Sequence, residues 1–151
     1  MKRLIVAATL LVAFSLPMSV SAATPTSYLS FLTRQSTATH HISSHIANAA
    51  DYIDYYDFDG AASVMTSVIS DENIEINWLK AHTPTTCYKR FWNWELNWWT
   101  QMRETAVDMR TGLQTYDISA FDRANVHMDK AETYQNLMKA NPPSCVSGTS
   151  A

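Results

Sequence analysis

The side chains in this chain whose types and spacing could do chemistry are two cysteines, a histidine run, a set of methionines and one acid among tryptophans. In "HHISSH", residues 40 to 45, His41 and His45 stand four apart. On a helix that spacing places two imidazoles one turn apart on one face, where they can share a metal ion, although no third ligand is adjacent in sequence. Met65, Met109 and Met128, with His127 beside the last, offer thioether and imidazole donors of the kind that suit Cu(I). Methionine also fills irregular gaps in helical cores, so the same residues are expected in plain packing.

Glu95 lies within "FWNWELNWW", residues 91 to 99, which holds four of the five tryptophans. A carboxylate buried there would need partners and would flag a functional site. Cys87 and Cys145 are the only cysteines. Other chemistries lack their signatures. The chain has no Cys-x-x-Cys-His for attached haem, no pair of Glu-x-x-His motifs for a di-iron bundle, no phosphate-cradling glycine loop and no Gly-x-Ser-x-Gly elbow. "DFDG" at 57 to 60 lacks the further acids of a calcium loop and reads as turn and cap. A non-catalytic protein without a resident cofactor is the expectation.

The elements that must position these residues begin after a leader. "MKRLIVAATLLVAFSLPMSVSAA" has a basic start, an apolar run from Leu4 to Leu16, Pro17, and small residues at Val20 and Ala22. It reads as a secretory signal peptide, residues 1–22, too short for a comfortable membrane span. A secreted or periplasmic chain of roughly 129 residues follows, the length of one domain. Removing Lys2 and Arg3 leaves nine basic residues against fourteen acidic ones, a net charge of −5. That balance argues against nucleic-acid or anionic-membrane partners, which need clustered Lys and Arg. Because no second apolar stretch follows the leader, no integral membrane segment is expected. In an exported chain two cysteines more often pair than stay free, so a Cys87–Cys145 disulfide is expected.

Three glycines in 151 residues are few for a sheet protein, and an all-α domain is the economical reading. Laid against itself, the chain repeats at an offset of 60. "SYLSFLT" at 27 to 33 matches "CYKRFWN" at 87 to 93, and Ile42, Ile46, Ala49, Ile53 and Tyr56 fall on Met102, Ala106, Met109, Leu113 and Tyr116. Steps of four and three mark the seam of a long helix, so Tyr28 to Tyr56 and Tyr88 to Tyr116 are predicted as equivalent helices about 43 Å long. "FDGAASVM" at 58 to 65 then matches "FDRANVHM" at 121 to 128, with Asp59 and Asp122 expected near the starts of the following helices. Ser70 is a possible break where the first unit carries extra residues.

The predicted fold is an antiparallel up-down four-helix bundle of two tandem α-hairpins. Hairpin 1 covers about 27–83, hairpin 2 about 87–141, within a domain spanning 23–145, and 146–151 form a flexible tail. Helices two and four then end together, which brings Cys87 and Cys145 close by a second argument. The seam directs Trp92 and Trp99 inward and Trp98 to the flank. Trp94 turns outward beside Tyr88, forming a possible interaction surface. Glu95 aligns with Gln35 as a pair of buried polar candidates, although both fall in the half nearer the cysteine end, where entering solvent would leave them plainly solvated. Counting from the turn end, Met65, Met109 and Met128 share one height with His127, and His45 stands one turn higher. The expected function is an exported interaction or structural module whose partner is a protein or small ligand of unknown identity. The alternative is a small-ligand or copper-type metal-binding protein that uses the bundle core.

Overall fold

The computed structural model describes residues 26–82, 84 and 86–143, with side chains from residue 30 onward. The leader at 1–22, Cys145 and the tail at 146–151 lie outside the described residues. Four helices account for most of the rest: α1 Thr26–Asp54, α2 Phe58–Ala81, α3 Lys89–Thr115 and α4 Ile118–Ala140, with a short 3₁₀ turn at Thr86–Tyr88 before α3. Successive helices pack on one another, and α3 against α4 is the most extensive contact. This is the packing of an all-α bundle. No helix among the described residues is long and apolar enough to cross a membrane.

The two interhelical turns show why the helices end where they do. The Asp57 amide donates to the Tyr52 carbonyl at 2.8 Å and the Tyr56 amide to the Ile53 carbonyl at 3.0 Å. That pair of bonds closes a Schellman motif, whose reversal needs a left-handed residue. Glycine usually supplies it; here Tyr56 does, at φ 60°, and Tyr116 adopts φ 58° at the end of α3. The seam therefore stops at Ile53 and Leu113, and the two tyrosines that continue its period point into solvent.

Capping restarts each helix at once. Asp57 accepts from the Gly60 amide at 2.8 Å, and Asp117 accepts from the Ser119 amide at 2.9 Å. The capping acids are thus Asp57 and Asp117. Asp59 sits in the first turn of α2, whereas Asp122 lies beyond the first turn of α4. Cap alignment preserves the offset of 60 and leaves the "FD" motif nearly one turn deeper in α4. Ser70 breaks nothing, because α2 runs through it unbroken.

Two glycines let the helices close. A Cβ on Gly60 would sit 2.6 Å from the Tyr52 ring, and one on Gly112 would sit 2.7 Å from the Phe121 ring. Around the second contact α4 buries Ala120, Ala124 and Ala131, small residues that admit the close approach to α3. At the other end the core is aromatic: Phe31 lies 5.0 Å from Trp92, which lies 5.4 Å from Trp78. Trp98 and Trp99 are buried edge to face at 4.6 Å. Rings of this size bury 150–250 Å² each, so every one contributes on the order of 4–6 kcal/mol before entropy is subtracted. Trp98, expected on the flank, is core.

Candidate functional site

Polar side chains concentrate between α1 and α2. Going along α1, Arg34 meets Glu75 through both oxygens, at 2.7 and 2.9 Å, and its guanidinium lies 4.6 Å over the Trp78 ring. Two turns further on, His41 and His45 bring their Nε2 atoms to 3.3 Å of each other. Asp71 of α2 places its Oδ2 atom 3.4 Å from the first and 3.5 Å from the second. The three ligand atoms form a nearly equilateral triangle at the edge of a groove of about 710 Å³, which Arg34, Ile42, Ile74 and Glu75 also line.

A second cluster occupies the core. Met65, Met109 and Met128 do converge, joined by Met102, around a void of about 20 Å³ that Glu72 also lines. That volume admits one water-sized occupant. Glu72 is fully buried, neither of its oxygens has a hydrogen-bond partner, and burial holds its pKa well above the ordinary range, the nearby Arg103 charge only partly offsetting this. The histidines expected with the methionines stand elsewhere. His127 bonds Gln101 at 2.8 Å and faces Asp108, while His45 belongs to the Asp71 triangle.

Gln35 and Glu95 are both buried. The Trp99 indole donates to Gln35, whose amide lies 3.4 Å from Glu75. Glu95 keeps one oxygen without a partner. Burial pushes its pKa up to about 8, opposed by the Trp99 hydrogen bond and assisted by the Glu75 charge. Glu75 is itself raised because desolvation outweighs the Arg34 charge beside it.

The expected Tyr88 and Trp94 surface divides. Tyr88 is only 3% exposed and packs 5.9 Å from Phe31, so its ring is core, whereas Trp94 is half-buried and lines a pocket of about 580 Å³ with Lys89, Arg90 and Asn141. The exposed aromatic surface lies at the opposite end. Tyr55, Tyr56 and Tyr116 are 84%, 76% and 72% exposed, with Ile118 at 76% beside them. Phe58 meets Tyr116 edge to face at 5.8 Å and so joins the two turns into one surface.

Three features were not anticipated from sequence: Asp71 as partner to the histidines, Glu72 and Met102 in the methionine cluster, and the tyrosine end. For Asp71 a signal existed. It stands about as far after the Asp57 turn as His41 and His45 stand before it. No protein-family model, curated protein or solved structure matches this chain, so its function has to be read from these residues.

Proposed function

We propose that this chain is an exported, non-catalytic binding module, an up-down antiparallel bundle of two tandem hairpins pinned by Cys87–Cys145, that docks a basic segment of a partner protein on its tyrosine-rich end. One observation carries the reading: two tyrosines held in the left-handed region are more than 70% exposed, and the Phe58–Tyr116 contact joins their two turns. A bulky residue at positive φ costs about 1–2 kcal/mol, and rings this exposed recover little of it through burial. Around them stand Asp51, Asp54, Asp57 and Asp59, all exposed, and Asp117. Arg123, which reaches Asp117 at 4.0 Å, is also engaged by Asp108 at 3.0 Å. Aromatic faces among carboxylates suit Lys and Arg side chains, by cation–π contact and by charge.

The test is binding of a fluorescent Arg-rich peptide to the full chain, against an acidic peptide of equal length. Tyr56→Gly/Tyr116→Gly removes both rings while relieving both left-handed positions, so its melting temperature is expected to stay level or rise. Its affinity for the basic peptide is expected to fall more than about tenfold, or roughly 1.4 kcal/mol. Unchanged affinity in that variant would leave only unspecific charge attraction and defeat the reading.

A second reading, a small-ligand or copper-type site in the bundle core, is favoured by the four methionines that meet at one void beside a carboxylate with no partner. It requires Cu(I), added under reductant, to bind the full chain at one equivalent and to fail with Met65→Leu/Met109→Leu. Retention of binding in that variant overturns it.

A further inference from the structure

We infer that His41, His45 and Asp71 form a zinc-type divalent metal site that bridges α1 and α2. The distances carry the argument. In tetrahedral coordination with metal–ligand bonds near 2.0–2.1 Å, neighbouring donor atoms stand about 3.3–3.4 Å apart. The three edges here are 3.3, 3.4 and 3.5 Å. Three donor atoms from two helices thus already outline one face of a tetrahedron, and its fourth corner is free for water or an added ligand.

Proton counting points the same way. The His41 and His45 Nε2 atoms, turned towards each other, share at most one hydrogen bond along that edge, and Asp71 Oδ2, shielded from solvent, has no hydrogen-bond partner. With both rings in the tautomer that carries the proton on Nδ1, three lone pairs converge on one point, which is a cation's environment. The ligand types, two imidazoles and a carboxylate, select zinc or a similar borderline ion over the Cu(I) that thioethers would select. The site is half-open: His45 and Asp71 are mostly covered, whereas His41 is largely exposed at the rim of the 710 Å³ groove, which gives the ion an entry path.

Because the ligands come from both helices, the ion would fasten α1 to α2. Binding to the folded state alone raises its stability by mass action, which at a hundredfold excess over Kd corresponds to a melting shift of about 5–10 °C. The experiment is calorimetric titration of the untagged full chain, stripped with chelator, with zinc chloride. Cobalt chloride in parallel reports tetrahedral geometry through intense visible absorption. One equivalent is expected to bind, with the melting shift above. Asp71→Asn, nearly isosteric, and His45→Ala should each weaken binding more than about tenfold, while His40→Ala, one residue outside the triangle, should leave it unchanged. Circular dichroism confirms that each variant is helical. No stoichiometric zinc binding, or equal loss with His40→Ala, or no loss with Asp71→Asn, would overturn the site.

Discussion

Glu95 shows at the level of a single residue how an acid survives in an aromatic core. It stands where α3 turns its seam towards α1 and α2, facing Glu75 of α2 with Trp99 one turn along its own helix. With a pKa near 8 against about 4.5 for the unfolded chain, the folded state holds the Glu95 proton the more tightly. Stability tied to the neutral acid is therefore complete below about pH 4.5 and lost as pH rises through 8, at about 1.4 kcal/mol per pH unit. Summed over that window the loss is on the order of 4–5 kcal/mol, a large share of a small domain's total. Glu95→Gln presents a neutral amide of the same shape. The melting temperature of this variant is expected to exceed that of the parent by several degrees or more above pH 8, and the two should converge below pH 4.5. Glu72 is common to both proteins, so the difference reports Glu95 together with its coupling to the Glu75 charge. A difference that stays flat from pH 5 to 8.5 would mean the carboxylate is solvated.

Element by element, the parts of the molecule legible in sequence are those set by local chemistry. The helices and their turns follow from period and punctuation: Ile42, Ala49, Met102, Ala106 and Leu113 are buried where the steps of four and three place them. The seam also directs Trp92 and Trp99 inward, and Glu95 and Gln35 on it are buried where the nearness of the cysteine end also offered a solvated reading. Less legible was whatever depends on the rotation of a neighbouring helix. No motif singles out Asp71 or Glu72, yet α2 turns the first towards the histidines and the second into the methionine void. Tyr56 and Tyr116 deceived in another way. They keep the seam's period, but the chain enters the left-handed region at those residues, and no glycine marks the change. Tyr88 has the opposite cause, since the 3₁₀ turn before α3 rotates its ring under Phe31 and Trp92.

At the scale of the whole molecule, the helices are not equally secured. α3 packs extensively on both α2 and α4, whereas α1 relies mainly on α2 and makes no extensive approach to α4. The proposed fastenings divide accordingly, with the metal between α1 and α2 and the disulfide joining the start of α3 to the end of α4. In support of the latter, Cys87 and Pro143 line one pocket, and Cys145 follows two residues later, within about 7 Å of chain. No cysteine is free among the described residues. A bridge closing a loop of this length adds about 4 kcal/mol by restricting the unfolded chain. Reduction, or Cys87→Ser/Cys145→Ser, is therefore expected to lower the melting temperature by about 10–15 °C. The two proposed fastenings join different pairs of helices, so their effects should add. Zinc is expected to raise the melting temperature of the oxidised and the reduced protein by equal amounts. An unchanged melting temperature on reduction would remove the bridge from this account, and a zinc shift present only in the oxidised protein would mean that α1 depends on the far hairpin after all.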